Sequence, residues 1–326
     1  MKAAVVHEAG AAPVFDDFGE PEVGDGRALV ELVAAGIHNV VRSRVAGRHY
    51  SVEGAWPAVP GVDAVARTPD GRLVYTGFVE TPWGTMAERM AVPDQFGMEL
   101  PDGADPLAVA AGMNPGAASW LPLSKRRDQV GEASLGAVLV LGATGMSGGI
   151  AVENAYALGA SAVVAVGRNE KRLAARGDLV EGRDLRTVVL TGDGPTDTKG
   201  LVAALAGRPP SIVVDFLWGS VAESAFYALG HAELGTDDYD VSHVQIGTMA
   251  GPDATVPGAL LRSRNLTLSG SGLGGTPVAE IVTRLPQFMQ QIATGAVHIP
   301  YTAYPLSQVG QAWAADDGTR AVVVPD

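Results

Sequence analysis

The chain has 326 residues and carries 23 Lys and Arg against 36 Asp and Glu, a formal net charge of −13. This charge argues against nucleic acid and anionic membranes as partners, because both are bound through clusters of basic side chains. The sequence contains no cysteine, which excludes disulfides, thiolate metal sites and a cysteine nucleophile. It shows neither a signal peptide nor an apolar segment of about 20 residues, so we expect a cytoplasmic protein without a membrane partner.

Short apolar runs broken by glycine and proline fill the chain up to about residue 101, a pattern typical of a mostly antiparallel β domain. Helical spacing follows over residues 106–121. The predicted strands of this region are 2–6, 28–33, 62–66, 73–75 and 86–92.

Beyond Gly136 the sequence alternates between apolar strands and helices. Repeated strand–helix units with right-handed crossovers build a doubly wound parallel sheet, and fully apolar strands fit a sheet covered on both faces. The predicted strands are 137–141, 162–166, 187–190, 212–216, 244–246 and an edge strand at 266–268, with helices at 147–158, 170–176, 198–205 and 220–229. A helix at 280–294 and a strand at 321–324 complete the chain.

A glycine-rich turn joins the first strand of this second region to its first helix. Glycine permits a tight turn, and a helix N-terminus offers N–H groups and a positive dipole end to a pyrophosphate. The spacing G-x-x-G-x-x-G departs from the usual G-x-G-x-x-G, but a buried strand precedes the turn and a helix and second strand follow it. We predict a dinucleotide site; a glycine turn without a ligand is the alternative. Every residue of the turn except Ala143 is a predicted cofactor contact: Gly142-Ala143-Thr144-Gly145-Met146-Ser147-Gly148.

The residues after the second strand indicate which nucleotide binds. An NAD site usually has an acidic residue about 20 residues beyond the glycines, where this chain has Arg168. A guanidinium suits a ribose 2′-phosphate through charge-assisted hydrogen bonds. We therefore predict NADPH, held by Arg168, Asn169 and Lys171. The acidic Glu170 leaves NADH as an alternative. If no nucleotide binds, these residues are only the solvated start of a helix.

Further cofactor contacts are expected at the carboxyl ends of the later strands, where such sheets bind ligands. Trp218 follows the fourth strand, and Gly247, Thr248 and Ser271 are predicted to line the nicotinamide end. His231 and His243 lie in an acidic segment that we interpret as a solvated surface loop.

The order of these features resembles the medium-chain dehydrogenase/reductase superfamily, and most closely its zinc-free quinone oxidoreductase branch. The resemblance implies a GroES-like catalytic domain from residues 1–121, completed by a return segment at 265–326, and a Rossmann domain at 122–264. It also implies a homodimer. The motifs that carry it are Ala35-Gly36-Ile37-His38, Gly47-x-x-Tyr50, Pro60-Gly61-Val62-Asp63, Gly84-Thr85-Met86-Ala87-Glu88 and a helix around 116–120.

This sequence departs from the superfamily pattern at the positions of the catalytic zinc ligands and in the pocket for the hydride acceptor. Where zinc-dependent relatives have their three catalytic ligands, this chain has His38, Val62 and Asn114, which do not form a three-ligand zinc site. We therefore predict no metal. Quinone reductase relatives usually carry Asn and Asp where this chain has His38 and Val41, which indicates a changed acceptor pocket.

Hydride transfer to a quinone or an enone places negative charge on a carbonyl oxygen, which hydrogen-bond donors must stabilise. The candidate catalytic residues are His38, Tyr50 and Asn114. Each has a structural alternative. For His38 it is a buried histidine bonded to backbone, and for Tyr50 a tyrosine that only lines the pocket. For Asn114 it is the N-cap of a helix with Pro115 at the first helical position.

We expect an NADPH-dependent, metal-free oxidoreductase that transfers a hydride to a quinone or an activated C=C of a small, largely apolar substrate. Two alternatives stay open: an imine or carbonyl reductase of a biosynthetic pathway, and a sensor that binds NADPH without turnover.

Overall fold

The computed structural model describes the chain except for residues 50–54, 132–133, 235–238 and 273–274 and the side chain of Gln95. It contains two compact units, Met1–Asn114 with Pro286–Asp326, and Pro115–Leu285. The domain boundaries expected from the sequence, at 121/122 and 264/265, stay predictions. None of the helices in the described residues is both long enough and apolar enough to cross a bilayer.

The described residues form strands and helices that are numbered in chain order. The strands are β1 (Lys2–Val5), β2 (Val14–Asp17), β3 (Arg27–Gly36), β4 (Asp63–Arg67), β5 (Leu73–Gly77), β6 (Arg89–Pro93), β7 (Met98–Glu99), β8 (Gly136–Leu141), β9 (Ala160–Gly167), β10 (Leu185–Val189), β11 (Ile212–Asp215), β12 (Val241–Gln245), β13 (Leu266–Gly270), β14 (Tyr301–Pro305) and β15 (Arg320–Val324). The helices are α1 (Asn39–Val45), α2 (Pro106–Val130), α3 (Met146–Ala157), α4 (Glu170–Leu179), α5 (Gly194–Leu205), α6 (Gly219–Leu229), α7 (Gly258–Ser263), α8 (Val278–Ala293) and α9 (Val309–Ala314).

The first unit is a mostly antiparallel β structure, as predicted. Its main sheet has the order β14-β15-β3-β4-β5-β7, with β6 paired to β3, and only the β14–β15 pair is parallel. Alternate residues of β3 pack into an apolar core with Ala3, Ile37 and Met86, all at most 1% exposed. This sheet places β4, β5 and the start of α1 around one buried polar cluster.

The second unit is a parallel sheet with the order β10-β9-β8-β11-β12-β13. Counted along the chain, this is the strand order 3-2-1-4-5-6 of a doubly wound dinucleotide-binding sheet, and it confirms the predicted fold class. The order reverses between β8 and β11, whose last residues Leu141 and Asp215 are paired in register. Ligands of such sheets bind in the crevice beyond that point.

Candidate functional site

The turn after β8 has the backbone geometry that its glycines allow. Gly142 has φ +102°, and the N–H groups of Gly142 and Ala143 both donate to the Val166 carbonyl oxygen at 2.9 Å, which fixes the turn to β9. A Cβ atom on Gly148 would lie 2.1 Å from the Gly142 carbonyl oxygen. Only glycine at residue 148 therefore lets α3 approach the turn this closely.

The side of the turn at Gly145 is open. Gly145 is the N-cap of α3 with φ −81°, and among the described residues no side chain caps this helix end. A Cβ atom on Gly145 would meet only the Gly142 carbonyl oxygen, at 3.6 Å. The first N–H groups of a helix need acceptors, and an anion such as a pyrophosphate supplies them. The turn thus fits a dinucleotide.

A basic rim borders this turn. Arg168 follows β9 directly, and it lines an open pocket of about 680 Å³ with Thr144 and residues 169–172, which include Lys171. A Cβ atom on Gly167 would lie 2.4 Å from the Thr144 side chain, so the turn and the end of β9 are in contact. Asn169 caps α4, since its Oδ1 atom accepts the Arg172 N–H at 3.0 Å. The structure therefore brings Arg168, Lys171 and Thr144 together in one pocket. Because the Oδ1 atom of Asn169 caps the helix, its amide N–H₂ is the group that can donate to a ligand.

The segment after β11 packs against the glycine turn, and the segment after β12 packs against the segment after β11. A Cβ atom on Gly142 would lie 3.3 Å from side-chain atoms of Phe216 and Leu217, and one on Gly247 would lie 2.6 Å from the Phe216 carbonyl oxygen. Trp218 is the N-cap of α6. The predicted cofactor contacts Trp218 and Gly247 thus lie at this edge of the parallel sheet.

Thr248 and Ser271 lie at the same ends of the strands. Thr248 follows Gly247 beyond β12 and accepts the Gly251 N–H through its carbonyl oxygen at 3.2 Å, and Ser271 follows β13 and donates its N–H to the Gln245 carbonyl oxygen at 2.9 Å. Both hydrogen bonds use backbone atoms, so neither of them engages the hydroxyl group of Thr248 or Ser271.

The prediction that His243 belongs to a solvated loop is wrong. His243 lies within β12, it has no exposed surface, and its Nε2 atom is 2.9 Å from Asp215 Oδ2. The strand begins three residues earlier than predicted, and pairing with a carboxylate lets an imidazole be buried. Sequence reasoning also missed Asp215, whose signal was its place at the end of an apolar strand.

The first unit contains a buried cluster of His38, Asp63 and Tyr75. The Nε2 atom of His38 lies 3.3 Å from Asp63 Oδ1, within ion-pair range but without hydrogen-bond alignment. The Tyr75 hydroxyl donates to Asp63 Oδ2 at 2.7 Å. Burial, and then the neighbouring Asp63 carboxylate, raise the pKa of Tyr75 well above its usual value. Tyr75 therefore remains a proton donor to Asp63 throughout the physiological range.

Two arginines accompany this cluster. Arg320 donates to the Ile37 carbonyl oxygen at 2.8 Å. Burial and the nearby Arg42 lower the pKa of Arg320 to about 10, and the Asp63 carboxylate opposes them. The interior around His38 thus contains one carboxylate and one buried guanidinium, and it is not an apolar core.

The structural alternatives for the three catalytic candidates have different outcomes. His38 is 2% exposed, and neither ring nitrogen has a hydrogen-bond partner among the described residues, so no backbone group of those residues bonds it. The N-cap alternative for Asn114 is wrong, because α2 begins at Pro106 and continues through both Asn114 and Pro115. Asn114 is half-buried. Tyr50 lies outside the described residues.

Metal ligands do not cluster in the part of the chain that the structure describes: no group of three or more His, Asp or Glu side chains has the arrangement to hold an ion. His38 and Asp63 are two such side chains at 3.3 Å. A catalytic zinc site takes three protein ligands.

The chain is similar in sequence to a named reductase and in fold to several solved structures. No family model matches the chain. It is 30% identical over 368 residues to a protein of Emericella nidulans named probable NADPH-dependent quinone reductase tdiC, with 100% of both chains covered.

Solved structures share the fold. A mycobacterial quinone oxidoreductase has a TM-score of 0.81 at 20% identity, with 100% of both chains covered. The quinone oxidoreductase of Thermus thermophilus, which was also solved in complex with NADPH, has a TM-score of 0.75 at 24% identity, with 99% of this chain and 100% of that chain covered. Identities this low show the fold alone.

Proposed function

The chain belongs to the quinone oxidoreductase-like branch of the medium-chain dehydrogenase/reductase superfamily, and on that premise we propose that it is an NADPH-dependent oxidoreductase. Its substrate is a quinone or an activated C=C of a small, largely apolar acceptor. The observation that carries this proposal is the open glycine turn at Gly145 beside the basic pocket of Arg168. The names of the relatives, a probable NADPH-dependent quinone reductase and an oxidoreductase solved with NADPH, support it.

The residues of the second unit divide the binding of the nucleotide between them. The N–H groups at the start of α3 donate to the diphosphate, because this helix end has no side-chain cap among the described residues. Arg168 and Lys171 bind the 2′-phosphate, with Asn169 beside them. Bound NADPH supplies the hydride.

The polar cluster of the first unit stabilises the negative charge that hydride transfer leaves on the acceptor oxygen. His38 donates a hydrogen bond or a proton through Nδ1, the ring nitrogen that does not face Asp63. Asp63 lies 3.3 Å from the other ring nitrogen, Nε2, and the Tyr75 hydroxyl holds that carboxylate in place. Tyr50 and Asn114 remain the further candidate donors.

Three finer features belong to the same proposal. Catalysis needs no zinc, because the residues at the relatives' ligand positions do not form a metal site. The protein is a homodimer, supported by β13, which has one neighbouring strand among those described and an exposed outer edge. We place it in the cytoplasm, the compartment expected from its sequence.

A second candidate function is the reduction of an imine or a carbonyl group. The buried His38–Asp63 pair favours it, because histidine serves in general acid catalysis and the asparagine usual in quinone reductase relatives does not. A sensor that binds NADPH without turnover is the third candidate.

The deciding experiment is NADPH oxidation at 340 nm by the purified chain with a panel of benzoquinone, naphthoquinone, an enone, a ketone and a cyclic imine. We expect turnover with the quinones or the enone, and slower turnover with NADH. Turnover confined to the imine or the ketone supports the second candidate. Tight NADPH binding with no oxidation by any acceptor contradicts the enzymatic proposal and supports the sensor.

A further inference from the structure

Asp215 ends β11 where the strand order of the second unit reverses, and its side chain is fully buried. Its Oδ1 atom accepts the N–H groups of Leu217 and Trp218, both at 2.8 Å. Its carbonyl oxygen accepts the N–H groups of Ile246 and Gly247 at 2.7 and 3.2 Å. One residue therefore ties the segment after β11 to the segment after β12.

The side-chain partner of Asp215 is His243 of β12. The Nε2 atom of His243 lies 2.9 Å from Asp215 Oδ2, and neither side chain has exposed surface. A buried carboxylate is costly unless hydrogen bonds satisfy it, and here Oδ1 accepts two backbone donors while Oδ2 faces the imidazole. The ring of His243 also packs edge-on beside Trp218, with centroids 6.1 Å apart.

Trp218 has a strained backbone. Its φ of +56° and ψ of −154° fall in a region that is nearly confined to glycine. Such strain persists only where the surroundings enforce it, and it concentrates at binding sites. Leu217 and Phe216 lie against Gly142 of the glycine turn, so the strained segment borders the nucleotide crevice.

We propose that Asp215 and His243 are positioning residues, which hold residues 216–219 as one wall of the nucleotide crevice in the conformation that binds NADPH. This inference rests on the proposed NADPH binding. Both residues act through the backbone and the indole of Trp218, so their loss weakens nucleotide binding and leaves the KM for the acceptor unchanged.

The test measures NADPH binding by calorimetry on Asp215→Ala, His243→Leu and the double variant, each checked for folding by circular dichroism. We expect the Kd to rise about tenfold in each single variant, the scale of a lost supporting hydrogen bond. The double variant should bind no more weakly than Asp215→Ala, because both residues support one segment. His243→Gln, which keeps an N–H donor, should restore part of the affinity.

A second variant keeps the test decisive if Asp215→Ala fails to fold. Glycine adopts a φ of +56° without strain, which offsets part of the packing lost with the indole beside His243, so Trp218→Gly should stay folded while it loses NADPH affinity. The matched control is Asn154→Ala in the same unit. The buried Asn154 amide donates from α3 to the Gly116 carbonyl oxygen and to Ser119 Oγ of α2. This variant should lower the thermal midpoint and leave the Kd unchanged.

The inference is overturned if folded Asp215→Ala and His243→Leu bind NADPH as tightly as the unmodified chain, or if Asn154→Ala weakens binding equally. Absence of NADPH binding by the unmodified chain is a different result, and it overturns the proposed function instead.

Discussion

At the scale of single residues, Arg168 and Tyr75 are the side chains whose chemistry is most readily tested. Arg168 occupies the place where a site for NAD carries an acid, and its pocket contains two further cations, Lys171 and Arg172. Tyr75 keeps its proton because burial and Asp63 both disfavour the phenolate. The two residues belong to different units and make independent predictions.

We predict that Arg168→Ala raises the Kd for NADPH roughly 10- to 100-fold and changes the Kd for NADH little. The reason is that charge-assisted hydrogen bonds to a phosphate are worth about 1.5–3 kcal/mol, and only NADPH has the 2′-phosphate. Fluorescence titration with both nucleotides measures this. The control is Arg72→Ala, an exposed arginine of the first unit paired with Asp70. Equal weakening of both nucleotides contradicts the assignment.

Tyr75→Phe tests the buried cluster through the pH dependence of unfolding. The folded-state pKa of Tyr75 lies above the unfolded value of 10.0, so its contribution to stability is complete below pH 10 and is lost as the pH rises through the folded pKa. Between about pH 9 and 11 the free energy of unfolding should therefore fall less in the variant, by at most about 1.4 kcal/mol. Urea titrations at both pH values measure the difference. An equal decline in both proteins contradicts a buried, protonated Tyr75.

At the scale of elements, the sequence predicted those features that depend on local pattern. The strand before Gly142 and the helix after it both follow from apolar runs and turn chemistry, and the structure has them. Two features were missed because tertiary packing decides them. Helix α2 continues beyond the predicted helical spacing of residues 106–121 to Val130. The burial of His243 depends on Asp215, 28 residues away.

The glycine turn offers a matched pair of substitutions. Gly145→Ala adds a methyl group to open space at an ordinary φ, so we expect an unchanged thermal midpoint and severely weakened NADPH binding, because that space must accept the diphosphate. Gly148→Ala places its methyl group against the Gly142 carbonyl oxygen, so it should lower the thermal midpoint itself. Differential scanning calorimetry and nucleotide titration separate the two effects. Unimpaired NADPH binding by Gly145→Ala contradicts the proposed site.

At the scale of the whole molecule, composition and motif order together predicted the two-part architecture and the superfamily. The absence of cysteine removes the thiolates on which zinc-dependent relatives rely. Sequence could not reveal the His38–Asp63–Tyr75 cluster, because its members lie at the N-cap of α1, on β4 and on β5 and meet only when the sheet forms. Asp63 does belong to one of the superfamily motifs, next to the residue that stands in the place of a zinc ligand.

Metal independence can be measured on the whole protein. We predict that NADPH oxidation is unchanged after exhaustive dialysis against a chelator and that elemental analysis finds no stoichiometric zinc. The reason is that the described residues supply no three-ligand cluster. Activity that chelation removes and added zinc restores contradicts this.

The most direct test of the central claim is calorimetric titration of the unmodified chain with NADPH and with NADH. We predict saturable binding of one NADPH per chain, and binding of NADH that is about tenfold weaker or more, since it lacks the phosphate that Arg168 and Lys171 bind. No saturable heat with either nucleotide would contradict the assignment of the glycine turn and its basic rim as a nucleotide site.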